Sequence, residues 1–211
     1  MVRLRTSAQY REEPARSHLP RWRVVTSLVL IALSVWCAAR WSEAQTANVP
    51  AELQAQLLSK LSAYDRNFAA RAGDVALVLI LVKSGSGKSA LSGNTIKSAL
   101  SKLDRFGGLR HQEQIVPFET AAALASLCRS KRAAIVYVTP GLENEVDAIK
   151  GALVGVDVLS VAAVPEYVPR GIVVGFEVVS GKPKISINIA QARQQRVDFK
   201  ADVLKLMKVY R

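Results

Sequence analysis

The chain has 211 residues, of which 50% are apolar, so it is long enough for one domain with a sizeable core and too short for two large ones. Its 29 Lys and Arg residues exceed its 17 Asp and Glu residues and give a formal net charge of +12. The basic residues are scattered and are not interleaved with aromatic side chains. This argues against nucleic acid as a partner and favours acidic protein faces, cell-wall polymers or anionic lipid head groups.

The first 44 residues have the pattern of a secretory signal peptide. An Arg-rich segment precedes the stretch 24–39, which is sixteen residues long and uncharged. Ser42 and Ala44 are small residues at the two positions that a signal peptidase inspects, so we expect cleavage after Ala44. The alternative is an uncleaved membrane anchor facing the periplasm. Sixteen helical residues span about 24 Å, less than the roughly 30 Å of a hydrocarbon core, and this favours removal.

Removal of residues 1–44 would leave a mature chain, 45–211, with a net charge of +8. We expect these residues to form a single domain. Cys128 is the only cysteine of this mature chain, so no intramolecular disulfide can form. Its position at the end of an apolar helical pattern predicts a small core side chain rather than a reactive thiol.

Helical and strand patterns alternate along residues 51–161. The predicted helices cover residues 51–68, the segment around Ile96, Leu100 and Leu103, residues 118–128 and residues 142–150. The predicted strands cover residues 75–82, 114–116, 133–138 and 156–161, and the second of them is broken by Pro117. The eight consecutive apolar residues at 75–82 indicate a strand that is covered on both faces. This alternation predicts an α/β fold, a largely parallel, Rossmann-like sheet flanked by helices.

The last forty residues predict an antiparallel hairpin followed by a terminal helix. Residues 171–180 and 184–189 both alternate as strands do, and Gly181 lies in the turn between them. Val203, Met207 and Tyr210 then recur at helical spacing, and Lys and Arg residues crowd the last turn, where cations are favourable. We therefore expect the chain to end in a docked helix.

This C-terminal segment resembles the YfiR family of small periplasmic regulators (YfiR/HmsC-like). The family signature is a glycine and an apolar strand, a glycine-containing turn, a strand ending in Ile-Asn, and a Leu-rich last helix. The positions that carry the resemblance include Gly171, Phe176, Gly181, Asn188 and Leu204. The resemblance weakens towards residue 49, and its implied role for these five residues is structural.

The resemblance implies a non-enzymatic protein without cofactors. Such a protein would bind the periplasmic sensor region of a membrane signalling protein and repress it. The partner would be a diguanylate cyclase, which links the chain to cyclic di-GMP signalling, or a histidine kinase. Self-association into a homo-oligomer stays open.

One surface motif is a candidate for binding this partner. Tyr64, Asp65 and Arg66 place an aromatic ring, a carboxylate and a guanidinium together at the end of the first predicted helix. The other interpretation of the same three residues is a local structural bridge. Asn188 is expected to hold the turn into the next helix through its side-chain amide.

A second motif suggests an alternative function, a periplasmic small-molecule or anion sensor. Gly85, Gly87, Lys88 and Ser89 lie between a buried strand and a helix, where a phosphate-binding loop would be placed. A true P-loop needs a glycine five residues before Gly87, and that position is Val82. The alternative function would therefore rest on a weaker anion site at this helix start.

The sequence supplies little for metal or nucleophile chemistry. His111 has no second His or Cys at ligand spacing and is expected to be a solvated loop residue. Glu143 and Glu145 fall in a predicted first helical turn, where negative charge is favourable for structural reasons. We therefore expect no catalytic and no metal site.

Overall fold

Seven strands form one sheet in the computed structural model, which describes residues 49–211. The strands are β1 Val75–Lys83, β2 Arg110–Phe118, β3 Ile135–Val138, β4 Leu159–Ala162, β5 Val174–Val179, β6 Lys182–Asn188 and β7 Lys208–Tyr210. Their order is β2-β1-β3-β4-β5-β6-β7, and all neighbours are parallel except the antiparallel pair of β5 and β6. The predicted signal peptide lies outside the described residues.

Helices cover both faces of this sheet. They are α1 Ala51–Ser62, α2 Phe68–Ala72, α3 Gly87–Ser101, α4 Ala121–Lys131, α5 Val146–Leu153, α6 Ile189–Gln194 and α7 Ala201–Leu204, with a 3-10 turn at Pro165–Tyr167. Along β1, Val78 and Ile80 pack on the face covered by α1 and α3, whereas Leu79 and Leu81 pack on the face covered by α4 and α5. Because successive strand side chains point to opposite faces, an unbroken apolar strand is buried on both of them.

The predicted fold class is confirmed: the molecule is α/β, with a mostly parallel sheet between helical layers and a C-terminal antiparallel hairpin. The first five strands have the order 2-1-3-4-5 of a doubly wound sheet. In such a sheet the winding order reverses at β1 and β3, and the connections that follow these two parallel strands lead to opposite faces. This leaves a crevice at the carboxyl ends of the two strands. The 84–89 loop lies at this point.

The prediction for the chain end was wrong in part. A helix follows the hairpin, but α7 stops at Leu204 and the chain continues into β7 instead of extending the helix. Val209 of β7 lies opposite Ile187 of β6 in a parallel register. The open edge of β6 offers backbone partners there, and a β-branched and an aromatic residue are suited to a strand.

Two further predictions needed correction. Pro117 does not end a short strand, because β2 continues through it to Phe118. The strand lies at the edge of the sheet and pairs with β1 alone, so the missing N–H of Pro117 can face away from the ladder. The first helix ends at Ser62 rather than residue 68, and α2 begins after a turn around Asp65.

None of the helices within residues 49–211 is both long enough and apolar enough to span a bilayer.

Candidate functional site

An apolar groove opens between the first helix and the C-terminal segment. Its volume is about 180 Å³. It is lined by Leu57, Lys60, Leu61 and Tyr64 of α1 and its end, by Ile185 of β6, and by Val203, Leu206 and Met207 of α7 and the link to β7. Leu206 is 77% exposed and Tyr64 is 45% exposed, which is unusual for side chains of this size next to a core.

Two lysines border this groove, Lys60 in its lining and Lys200 beside Tyr64. Residues 182–211 contain eight Lys and Arg against two Asp, which accounts for a net charge of +6, whereas residues 49–181 carry +2. The Lys200 ammonium lies 5.8 Å from the centre of the Tyr64 ring. Lys208 lies on the other face of the sheet from Ile185, where it donates to Glu177 at 3.1 Å, and hydrogen bonds to Tyr210 and to Glu177 raise the pKa of this lysine. We call the groove with Lys60 and Lys200 the basic-rimmed groove.

Asp65, in contrast, is a buried structural residue. Its Oδ2 lies 2.6 Å from Nη1 of Arg71, and both side chains are at most 1% exposed. Its Oδ1 accepts from the backbone N–H groups of Asn67 and Asp198 at 3.1 and 3.0 Å. Arg71 also donates through Nε to Asp157 at 2.6 Å. One carboxylate thus joins the turn after α1 to a segment more than a hundred residues away.

The three residues of the predicted Tyr64–Arg66 motif therefore have different environments. Tyr64 lines the basic-rimmed groove, Asp65 is enclosed, and Arg66 forms an exposed pair with Asp198 at 3.1 Å. The motif is held against the C-terminal segment, because Arg66 N donates to Asp198 O and Lys200 N donates to Tyr64 O. Of the three, Tyr64 and Arg66 are available to a partner.

The 84–89 loop leads into α3, and the side chains of Ser86 and Ser89 are hydrogen-bonded within the protein. Ser86 caps α3 and accepts from Ser89 N at 3.3 Å. The Ser89 hydroxyl accepts from Lys83 N at 2.8 Å and donates to the Thr139 hydroxyl at 2.7 Å, and the latter donates to Leu81 O. Gly85 supplies a positive φ of 73°. Because Ser89 is buried and fully bonded, it is not free to bind a metal-phosphate as a P-loop serine does.

Lys88 lies on the rim of a second cavity beside this loop. The cavity has a volume of about 340 Å³ and is also lined by Leu91, Ile96 and Tyr137. The Tyr137 hydroxyl donates to Gln54 at 2.6 Å, and Gln54 donates to Val49 O at 2.7 Å. Gly87 and Lys88 are exposed at the start of α3.

His111 is not the solvated loop residue that the sequence suggested. It lies on β2, where Nδ1 contacts the Glu113 carboxylate and Nε2 lies 2.8 Å from Leu103 O. Both side chains are less than 10% exposed. No cluster of three or more His, Cys, Asp or Glu residues that could hold a metal occurs in the part of the chain that the structure describes.

Glu143 and Glu145 precede α5 rather than lying in its first turn. Glu143 accepts from Gly141 N and from the Tyr167 hydroxyl at 3.0 and 2.9 Å. Its own backbone N–H is the largest of the influences that lower the pKa of Glu143, with burial acting in the opposite direction. Glu145 pairs with Lys83 at 3.1 Å. These carboxylates hold the loop between β3 and α5 in place.

Comparison with protein families decides what the chain is related to. A model of the YfiR/HmsC-like family matches residues 51–208, three quarters of the chain. The chain belongs to the YfiR/HmsC-like family. This family is one of periplasmic regulatory proteins, and the resemblance inferred from the C-terminal motif is confirmed. No curated protein matches the chain.

Solved structures support the fold of this YfiR/HmsC-like chain. It is similar to the ABC domain from Streptococcus pneumonia in complex with L-Trp, with a TM-score of 0.54 and 15% identity over 76% of this chain and 60% of that one. It is also similar to a conserved domain protein from Vibrio cholerae, with a TM-score of 0.54 and 13% identity over 77% and 60%. The chain spans about 60% of the length of these neighbours, and at this identity the likeness concerns the fold alone.

The YfiR/HmsC-like motif residues lie at structural positions. Gly171 has a φ of 117°, and a Cβ there would come within 2.5 Å of the Lys150 side chain. Phe176 is a core side chain, and Leu204 packs at its margin. Asn188 caps α6 by accepting from Gln191 N at 2.9 Å, and it donates to Val168 O at 3.0 Å.

Gly181 completes the turn of the hairpin. It follows Ser180, and both have positive φ, 75° and 51°. Val179 and Lys182 pair directly across this two-residue loop. This is the geometry of a type I′ turn, whose twist matches that of the strands.

Sequence reasoning did not find the groove, Arg71 or Asp157. The groove is built from three segments that are far apart in sequence, and no periodic pattern connects them. Arg71 lies in a short helical segment without a distinctive pattern. Its partners Asp65 and Asp157 are 6 and 86 positions away.

Proposed function

We propose that this chain is a non-enzymatic regulator that acts in the periplasm, where it binds the sensor region of a membrane signalling protein and represses it. The partner is a diguanylate cyclase, and a histidine kinase is the alternative. Membership in a family of periplasmic regulators supports this role. Residues 1–44 would direct export and be removed, leaving one domain over residues 45–211.

The observation that carries the proposal is the basic-rimmed groove. Its lining is mostly apolar, its exposed Leu206 and Tyr64 are free to be covered, and Lys60 and Lys200 border it. Four of its lining residues belong to the segment with a net charge of +6. An interface core needs desolvated apolar and aromatic side chains, and a charged rim selects a complementary partner. The occupant is therefore an acidic segment of the partner that inserts an apolar side chain between its carboxylates.

Repression needs no chemistry in this chain. It requires only that the regulator bind the inactive state of the sensor region more tightly than the active state. The difference in affinity shifts the partner towards the inactive state, because a ligand moves a conformational equilibrium by its differential binding free energy alone.

The test uses two exposed leucines on different surfaces. Leu206→Glu places a carboxylate in the groove, whereas Leu91→Glu places one beside the 84–89 loop, and these leucines are 77% and 69% exposed. We expect Leu206→Glu to reduce the amount of a membrane cyclase or kinase that co-purifies with the tagged full chain by about tenfold or more. Leu91→Glu should recover wild-type amounts. The recovered proteins are identified by mass spectrometry.

Cellular cyclic di-GMP provides the second measurement. If the partner is a cyclase, Leu206→Glu should raise the cellular level of cyclic di-GMP, as deletion of the whole chain should. Unchanged urea-unfolding midpoints in both variants would show that the fold is intact. A partner that is lost with Leu91→Glu and retained with Leu206→Glu would contradict the proposed surface.

The alternative is a periplasmic small-molecule or anion sensor that uses Gly85, Gly87, Lys88 and Ser89. The 340 Å³ cavity beside Lys88 favours it, because its volume lies within the range of ligand pockets. Against an anion, the Ser89 hydroxyl is already bonded within the protein. Saturable stabilisation by a ligand that Lys88→Ala abolishes would support this alternative.

A further inference from the structure

A polar pocket of about 220 Å³ lies at the edge of the sheet opposite the 84–89 loop. It is lined by Ala70 and Arg71 of α2, by Cys128, Arg129 and Arg132 at the end of α4, and by Val156 and Asp157 before β4. We call it the arginine pocket. Neither the family assignment nor the sequence motifs point to it.

The guanidinium groups of this pocket differ in their partners. Arg71 is fixed, because Asp65, Asp157 and the Arg196 carbonyl accept from its three nitrogens at 2.6, 2.6 and 3.1 Å. Arg129 and Arg132, by contrast, have no carboxylate within 4.0 Å among residues 49–211. The pocket therefore has two guanidinium groups available to a ligand, beside a third that is fixed by its partners.

The charge of the pocket favours an anion. The pocket combines three guanidinium groups with the carboxylates of Asp157 and of Asp65, the partner of Arg71, which leaves one positive charge in excess. The volume is below the roughly 300 to 1,000 Å³ of pockets for drug-sized ligands. A small oxyanion suits both the excess positive charge and the small volume of the pocket. Guanidinium groups also match the geometry of phosphate and carboxylate oxygens.

Asp157 further restricts which oxyanions the pocket can bind. Its Oδ1 accepts from Arg71, its side chain is 41% exposed, and its Oδ2 has no hydrogen-bond partner among the described residues. A free carboxylate oxygen repels an anion without a proton but accepts a hydrogen bond from an anion that carries one. At neutral pH hydrogen phosphate has a P–OH group, whereas sulfate has none.

We propose that the arginine pocket binds inorganic hydrogen phosphate. Arg129 and Arg132 donate to its unprotonated oxygens, and the phosphate hydroxyl donates to Asp157. The carboxylate makes the site selective for phosphate over sulfate, because sulfate would leave two negatively charged oxygens facing each other without a proton. This proposal does not depend on the regulatory role of the basic-rimmed groove.

The test is calorimetric titration of the full chain at pH 7.5 and constant ionic strength, with sodium phosphate and sodium sulfate compared. We expect saturable phosphate binding that is at least about tenfold tighter than sulfate binding. The double variant Arg129→Gln, Arg132→Gln should weaken phosphate binding by at least about tenfold, as expected for loss of charge-assisted hydrogen bonds. Lys88→Gln removes one positive charge at the 84–89 loop and should bind as the wild type does.

The role of Asp157 has its own variant. Asp157→Asn keeps an oxygen that can accept from Arg71, and it should narrow the difference between phosphate and sulfate to less than about threefold. The proposal is overturned if phosphate does not bind, if both oxyanions bind equally to the wild type, or if the double Arg variant retains full affinity. Loss of binding in Lys88→Gln would place the anion at the 84–89 loop instead.

Discussion

Asp65 illustrates how burial decides what a charged residue does. In the sequence it belongs to a surface-like motif, yet in the fold its two oxygens bind Arg71 and the backbone N–H groups of Asn67 and Asp198. A buried ion pair adds little to stability compared with an apolar pair. Removing Asp65 is nonetheless costly, because the buried Arg71 would keep only the half-exposed Asp157 as a carboxylate partner, and the backbone N–H groups of Asn67 and Asp198 would lose their acceptor.

Asp65→Ala should therefore lower the free energy of unfolding by about 3 to 5 kcal/mol. Arg66→Ala is the control, because its pair with Asp198 is exposed and is worth less than about 1 kcal/mol. Urea denaturation followed by far-UV circular dichroism measures both. Equal losses in the two variants would show that the Asp65 pair is not the structural anchor described above.

Cys128, another single residue, makes the stability of the protein depend on pH. Burial raises the pKa of its thiol to about 12, against an ordinary value near 9, although the neighbouring Arg129 acts in the opposite direction. The unfolded chain loses the thiol proton near pH 9 while the folded chain keeps it. The contribution to stability is thus complete below pH 9 and declines as the pH rises towards 12.

We expect the unfolding free energy of the wild type to fall more steeply than that of Cys128→Ala between pH 9 and 10.5. The difference in slope should approach about 1.4 kcal/mol per pH unit, the value for one proton. Denaturant titrations at a series of pH values measure it. Parallel slopes in the two proteins would mean that the thiol ionises as easily in the folded chain as in the unfolded one.

At the scale of elements, local sequence patterns predict that a strand exists better than they predict where it ends. The apolar run of β1 and the alternation in β5 and β6 predicted three strands because burial on one or both faces has a direct sequence signature. The continuation of β2 through Pro117 and the short β7 have no such signature. Both depend on whether a neighbouring strand offers an edge.

The type I′ geometry of the turn between β5 and β6 can be tested with two substitutions. Gly181→Ala should destabilise the protein by about 1 to 2 kcal/mol, because an L-residue at a φ of 75° brings its Cβ close to the carbonyl oxygen. Ser180→Asn should be neutral or slightly stabilising, since Asn-Gly is the preferred pair for a type I′ turn. Urea midpoints compare the two variants. Greater stability of the alanine variant would rule out the type I′ geometry.

At the scale of the whole molecule, the sheet separates three surfaces. The 84–89 loop lies at the carboxyl edge of the parallel strands, the arginine pocket lies at their amino edge, and the basic-rimmed groove lies beside the C-terminal hairpin. Within residues 49–211 the excess positive charge is carried mainly by the C-terminal thirty residues. The excess charge is thus already localised in the sequence, and Lys200 of this segment lies beside Tyr64 of the groove, where it favours an acidic partner.

The sequence by itself determined the sheet of parallel strands, the hairpin and the family of this protein. Runs and alternations of apolar residues report directly which faces must be buried, and the C-terminal motif carries the family resemblance. Only the tertiary structure decided the partners of Asp65, Arg71 and His111, the groove, and the terminal strand. These depend on groups up to 133 positions apart, and the path that brings them together leaves no periodic trace in the sequence.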